Sequence, residues 1–198
     1  LLKKLYTIFV LMSRIDQIFN QSATLFYQKG FQATTMREIA AQLDIKAASL
    51  YNHINAKEDL LAGIIMRLAH EFVDHIQDTA SENSSPVDQL EAIIQHHIQI
   101  NINKSESLAI LNNDWIYLAS TDKQTFIQLR TAYEGHLRDI IKAGIEQQDI
   151  KNIKPDIIIF SMLSSLRNLH LWYKKHHIDE NQLQQELSEL LITGFLVV

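Results

Sequence analysis

The sequence predicts an all-α protein of about nine helices, and three observations carry that prediction. Glycine and proline are scarce, five and two in 198 residues, which leaves few places for the tight turns of a β-rich chain. Apolar residues recur at helical spacing in one segment after another. Helix-start signals stand in front of those segments: Thr35 with Glu38, Asn55 with Glu58, and Pro86, Thr121, Pro155 and Asp179.

Residues 1–12 open the chain with an apolar run carrying Lys3 and Lys4. The run is superficially like a signal peptide but has no small-residue cleavage site, and it is too short to cross a bilayer. Met12-Ser13-Arg14 reads as a natural start, so 1–12 is assigned as an extension outside the core fold. Ile15, Ile18, Phe19, Ser22, Leu25 and Phe26 then follow helical spacing up to a stop at Gly30. The Thr35 to Glu38 capping box opens a second helix, Asp44-Ile45 makes a turn, and a short third helix runs from about Lys46 to His53. A long helix follows from the Asn55 to Glu58 box to about Ala80. Residues 81–86 are the clearest linker. Beyond it the spacing predicts helices over 86–103, 106–119, 122–149, 155–176 and 179–196. The chain divides into an N-terminal unit, 13–61, and a larger helical body, 62–198.

Hydrophobic residues make up 46%, ordinary for a soluble globular domain. The net charge is −5, which alone argues against a nucleic-acid partner, but residues 1–61 carry +2 and residues 62–198 carry −7. That asymmetry turns the N-terminal unit toward nucleic acid. The absence of cysteine excludes disulfides, thiolate metal sites and cysteine nucleophiles, and it fits a reducing, cytoplasmic setting. There is no nucleophile elbow, phosphate-binding glycine loop or zinc-protease motif, so no enzyme and no cofactor are expected. His70 with Asp74 and His75, the pair His96-His97 and the pair His176-His177 are read as surface histidines rather than a metal site, since adjacent residues point to different helix faces.

Three short helices and a long one within sixty residues suggest a helix-turn-helix unit, with an ordinary helical hairpin as the bland alternative. The third helix raises the odds of the first reading. Lys46, Ala47, Ala48, Ser49, Tyr51, Asn52 and His53 form an element of small and polar residues that lets backbone approach bases. Lys46 can reach base acceptors or phosphate, alanine methyls can meet thymine methyls, and Tyr51 and His53 can donate to phosphate oxygens. Lys57 sits in a first helical turn, where a cation opposes the helix dipole unless a phosphate docks there; a solvated surface lysine is the alternative.

Leu25-Phe26, Gly30-Phe31, Thr34-Thr35-Met36, Ile39-Ala40, Leu50-Tyr51-Asn52-His53-Ile54 and Lys57-Glu58-Asp59-Leu60 together resemble the signature of the TetR family, almost continuously from Ile15 to Leu61. The resemblance implies a DNA-binding set of Thr35, Arg37, Lys46, Ala47, Ala48, Ser49, Tyr51, Asn52, His53 and Lys57. Segment 46–53 would enter the major groove, Thr35, Tyr51, His53 and Lys57 would hold the backbone, and Lys46 with the two alanines would face bases. Two positions depart from the family pattern: Asp44 stands where glycine is usual, and Asn55 where proline is frequent. Both remain compatible with a turn and a cap.

For the body the resemblance implies a homodimer on a double-stranded DNA operator, with an interface built from the last two helices through Leu163, Leu166, Leu187, Leu191 and Phe195; the alternative is an intramolecular core. Tyr133-Glu134 to Gly144, Leu166-Arg167-Asn168 and Trp172-Tyr173 are similar to TetR regulators of fatty-acid or steroid breakdown, which implies an acyl-CoA thioester as small-molecule effector. The candidate effector residues are Trp115, Arg130, Tyr133, Arg167, Trp172 and Lys174. Arg130 and Arg138 each lie four residues from Glu134 and are expected to pair with it, whereas positions 163, 164, 170 and 171, three and four residues from Arg167, hold Leu, Ser, His and Leu and offer it no carboxylate. A drug, lipid or aromatic metabolite is the alternative effector. A helical protein-interaction module is the alternative of a different class. No membrane partner is expected.

Overall fold

The computed structural model describes residues 14–176 and 178–197, so the extension 1–12 and His177 lie outside the described residues. Among the described residues there are ten α-helices and no strand, only an isolated antiparallel bridge between Ile150 and Leu196. The helices are α1 (Arg14–Lys29), α2 (Met36–Gln42), α3 (Ala47–Tyr51), α4 (Lys57–Ser81), α5 (Pro86–Asn103), α6 (Ser105–Asn113), α7 (Ser120–Glu146), α8 (Pro155–Arg167), α9 (Leu169–His176) and α10 (Glu180–Thr193), with a 3-10 turn at Trp115–Tyr117.

The local signals account for most boundaries. Gly30 takes φ +86 and its N–H closes on Phe26 O at 2.8 Å, so α1 stops where a left-handed residue is available. Thr35 accepts from the Glu38 N–H at 3.3 Å while the Glu38 carboxylate accepts from the Thr35 N–H at 2.9 Å, a complete capping box. Ser85 and Asp88 make a second box ahead of Pro86, and Asp179 caps α10 by accepting from Asn181 and Gln182. Two expectations shift. Ala56, not Asn55, is the cap of α4, and Asp59 accepts its N–H at 3.1 Å. The start of α7 moves to Ser120, so Thr121 lies inside the helix and is not its cap.

Two expected helices are divided. Segment 106–119 ends as an α-helix at Asn113, and the chain tightens into the 3-10 turn, with the Tyr117 N–H on Asp114 O at 2.9 Å and the Leu118 N–H on Trp115 O at 3.2 Å. Segment 155–176 breaks at Asn168. The break is held from outside by Asn101 of α5, whose side chain is buried. Its amide donates to Leu166 O at 3.0 Å and its oxygen accepts from the His170 N–H at 2.9 Å. Helix-end groups that would otherwise be orphaned in a buried place are thereby satisfied.

Two apolar cores follow. The head core gathers Ile18 and Phe26 of α1, Ile39 of α2, Leu50 of α3 and Leu60 with Leu61 of α4. The body core gathers Phe72 and Ile76 of α4 with Leu90, Ile94 and Ile98 of α5, Leu137 and Ile141 of α7, and Met162 and Leu166 of α8. Each such side chain, fully buried, contributes about 1.5–3 kcal/mol relative to exposure. Helix α4 serves both cores without interruption and carries the residue 61/62 boundary inside it. Gly63 lets α1 approach closely, since a Cβ there would overlap the Phe19 ring.

Candidate functional site

The head presents α3 as an element that is almost entirely surface. Leu50 is 0% exposed and anchors it, whereas Tyr51 is 50% exposed and Lys46, Ala48, Ser49, Asn52 and His53 are all exposed. Ala47 differs from the expectation for both alanines, because it leans on the head core. The turn before α3 depends on Asp44, which takes φ +52 as its sequence position requires. Ile45 N–H then reaches Ala40 O at 3.0 Å, which sets α3 across α2. Arg37 and Lys46 are exposed and make no ion pair among the described residues. They are the cations left open to an outside anion on this face.

Thr35 and Lys57 are placed differently. The Thr35 hydroxyl is engaged with Glu38 in both directions, so its donor and acceptor serve the cap. Glu38 itself is held at a pKa of about 2, first by the Lys29 ammonium at 2.7 Å and then by the Thr35 N–H and hydroxyl. Lys57 donates to Phe31 O at 2.8 Å, Thr34 O at 2.9 Å and Gln32 O at 3.2 Å, and lies 4.5 Å from the centre of the Phe31 ring. All three N–H groups of the ammonium are occupied. The carbonyls supply the negative potential that a first-turn cation needs, and they fix the chain between α1 and α2. Sequence reading missed this role.

The body holds a cavity of about 520 Å³ between α4, α5, α6, α7 and α8, within the range of small-molecule sites. Its apolar wall includes Phe72, Leu108, Trp115, Phe126, Leu129 and Ile159. Of the expected effector residues, Trp115, Arg130, Tyr133 and Arg167 line it. Trp172 and Lys174 do not, because the break at Asn168 carries α9 away. Trp172 stacks on His176 at 4.5 Å, and the Lys174 ammonium lies 5.1 Å from the Tyr27 ring of α1.

The three arginines on the wall are in different situations. Arg130 is 3.9 Å from Glu134, a loose exposed pair, and faces the Trp115 ring at 5.5 Å. Arg138 pairs with Asp156 of α8 at 2.6 Å, and reaches only the backbone oxygen of Glu134, so the expected side-chain pair with Glu134 is replaced. Arg167 donates to Asn112 O at 3.1 Å while the Asn112 amide donates to Arg167 O at 3.1 Å. A backbone carbonyl, not a carboxylate, is its partner.

The inner wall carries a polar pair, and it corrects the reading of His96 and His97 as surface histidines: both are partly buried, and His97 lines the cavity. His97 Nε2 and the Tyr133 hydroxyl are 2.7 Å apart, and His97 stacks on Phe72 at 4.6 Å. Burial lowers the His97 pKa to about 3 and raises that of Tyr133, so both are neutral at physiological pH. Its neighbour His96 is held near 4, chiefly by burial, and stacks on His75 at 3.9 Å. Among the described residues no group of His, Asp or Glu has a metal-holding arrangement.

The expected dimer residues also separate. Leu166 and Phe195 are buried in the body core and present no surface to a second copy. Leu163, Leu187 and Leu191 are partly buried against that core, and Leu163 lines the cavity. The apolar residues that α8 and α10 do expose are Phe160 at 73%, Leu190 at 69% and Ile157 at 56%.

Comparison with known proteins places this geometry. Residues 18–64 match the family described as bacterial regulatory proteins, tetR family, and residues 83–195 match the tetracyclin repressor-like C-terminal domain. The HTH-type transcriptional repressor KstR2 of Mycobacterium tuberculosis is 26% identical over 144 residues, 68% of each chain. The structure of the ketosteroid transcriptional regulator KstR2 of Mycobacterium tuberculosis superposes with a TM-score of 0.87 at 18% identity, covering 95% of this chain and 97% of that one. The structure of AibR in complex with isovaleryl coenzyme A and operator DNA superposes with a TM-score of 0.80 at 24% identity, covering 91% and 98%. Both family matches, one to the helix-turn-helix head and one to the helical body, agree with the two cores joined by α4, and the chain belongs to the TetR family of transcriptional regulators.

Proposed function

We propose that this regulator is a cytoplasmic, dimeric repressor that holds a pseudo-palindromic operator and releases it when an acyl-CoA thioester or a similar amphipathic anion enters the body cavity. The observation that carries the reading is that one uninterrupted helix, α4, joins a head presenting the largely exposed α3 to an apolar cavity whose wall bears three guanidinium groups. A thioester needs an apolar enclosure for its acyl chain and cations for its phosphates; Arg167, held only by a backbone carbonyl, and the loosely paired Arg130 supply the second beside the first. The coenzyme A complex of AibR, a fold relative, supports the same ligand class. In the head, Arg37, Lys46, Ala48, Ser49, Tyr51, Asn52 and His53 form the DNA face, with Thr35 and Lys57 as its supports. In the dimer, Ile157, Phe160 and Leu190 meet their copies, flanked by Leu163, Leu187 and Leu191.

A neutral aromatic or lipid effector is the second reading. Its support is that Arg130 and Arg138 already have carboxylate partners, while Phe72, Trp115, Phe126 and Tyr133 give the wall an aromatic character.

One experiment addresses both halves. Operator fragments selected from the source genome are bound to the protein, and short- and long-chain acyl-CoA thioesters, the matched free acids and CoA alone are titrated in. Release by a thioester at concentrations where its acid and CoA are silent is the expected result. Lys46→Ala and Arg37→Ala should each flatten the salt dependence of DNA binding by about one unit of slope. Failure to select any duplex would remove the repressor reading, and release by neutral aromatics alone would replace the thioester by the second effector class.

A further inference from the structure

We propose that the part of the effector buried in the body cavity carries a neutral oxygen, a ketone or a hydroxyl, that the Tyr133–His97 pair recognises. The proposal rests on the reading of this cavity as the effector site, and not on the coenzyme A part of that reading.

The pair is two polar groups at the inner wall of an otherwise apolar space, and its hydrogen-bonding capacity is incompletely used. The Tyr133 hydroxyl and the neutral His97 ring hold two N–H or O–H protons between them, and only one lies in the 2.7 Å bond they share. If the phenol donates to Nε2, the proton at Nδ1 and a lone pair of the phenol remain. If Nε2–H donates to the phenol, the phenolic proton and the Nδ1 lone pair remain. Either tautomer leaves one donor and one acceptor without a partner among the described residues. Both residues line the cavity. The amides on the same wall are not available in this way, because Asn101 holds the break between α8 and α9 and Asn112 holds Arg167.

An apolar ligand of the right shape would leave this donor and acceptor buried and unsatisfied, at a cost that a hydrocarbon cannot recover. A ketone seated on the Tyr133 oxygen accepts the phenolic proton and so selects the tautomer in which Nε2–H points at Tyr133, whereas one that met only Nδ1–H would select the opposite tautomer. A hydroxyl suits either tautomer. A carboxylate at this depth would sit beside a histidine that burial keeps neutral, while Arg138 is already held by Asp156.

The test compares octanoyl-CoA, 7-oxo-octanoyl-CoA, 7-hydroxyoctanoyl-CoA and suberyl-CoA, whose chain ends in a carboxylate, on wild type and Tyr133→Phe by calorimetry. A parallel set without CoA uses ethylbenzene, acetophenone and 1-phenylethanol. The oxo probes should bind wild type at least as tightly as their less polar parents. Tyr133→Phe should weaken the oxo and hydroxyl probes about tenfold and the parents less than twofold. Histidine 15N spectra of wild type give a readout that does not depend on the variant folding: acetophenone or the oxo thioester should drive His97 to the Nε2–H form. If the CoA set fails to bind while acetophenone keeps its Tyr133 dependence, the thioester reading falls and the oxygen site stands. Parents and oxo probes responding equally to Tyr133→Phe, tighter binding of suberyl-CoA than of the oxo probe, no change at His97, or no binding in either set would overturn the proposal.

Discussion

The head and the body are both helical and share α4, yet they are packed to different ends. The head is closed by its own backbone. A left-handed Gly30, a capping box at Thr35, a positive φ at Asp44 and the Lys57 ammonium on three carbonyls leave it one arrangement. The body leaves a cavity of about 520 Å³, breaks a helix at Asn168 and stabilises the broken ends with side chains from α5 and α6. The difference separates two tasks. A surface that reads DNA must be the same at every encounter, whereas a site that converts ligand binding into movement needs internal space and an element with more than one acceptable geometry.

The largest effect expected from breaking that contrast is in the head core. Phe26→Ala removes a ring that is 1% exposed and edge-on to Phe31, and should cost about 3–5 kcal/mol in urea unfolding. Phe72→Ala enlarges a space that already exists and should cost roughly 1 kcal/mol less than Phe26→Ala. Equal losses would mean that the body tolerates voids no better than the head. A smaller effect is expected from Lys57→Met. Loss of three charge-assisted hydrogen bonds should destabilise the head by about 1.5–3 kcal/mol while leaving the salt slope of DNA binding unchanged. A stable variant with a slope reduced by one unit would instead make Lys57 a direct phosphate ligand. The smallest effect belongs to Glu38. Its folded pKa of about 2 lies below the unfolded value near 4.5, so its contribution is present above pH 4.5 and is lost as pH falls toward 2. Comparing urea midpoints of wild type and Glu38→Gln from pH 6 to pH 2 should show the two curves converging in acid, and a constant gap would refute the assignment.

The head was legible because its causes are local. Thr35 and Glu38 are three residues apart, and Gly30 and Asp44 announce their own backbone geometry. Lys57 escaped because its acceptors lie 23 to 26 residues upstream, and a first-turn lysine is as consistent with solvent or phosphate as with carbonyls. The body failed for the same reason at longer range. Nothing between Pro155 and His176 marks a break, since the residue that holds it, Asn101, is 65 residues from Leu166. A helix continuous through Asn168 would bring Trp172 and Lys174 beside Arg167, and the break is what keeps them off the cavity wall. Of the adjacent pair His96 and His97, both rings pack against Phe72 and neither is the surface histidine that spacing suggests, because the aromatic partners come from α4 and α7, far away in sequence.

Helix α4 can also be regarded as a beam. It runs 25 residues from Lys57 to Ser81, about 37 Å, with no proline and no break in its hydrogen bonding. Phe72, on the cavity wall, and Lys57, fastened to the chain ahead of α2, are about 22 Å apart along it. On a lever of that length a tilt of about 3° displaces the far end by about 1 Å. In a symmetric pair of chains the two displacements mirror each other, so the separation between the two α3 helices changes by up to twice that amount. Major grooves one turn apart are spaced by the duplex, not by the protein. On the proposed reading, a stiff rod fastened at Lys57 and touched by ligand at Phe72 would make small ligands visible to DNA through leverage alone, with no change in any residue that touches a base.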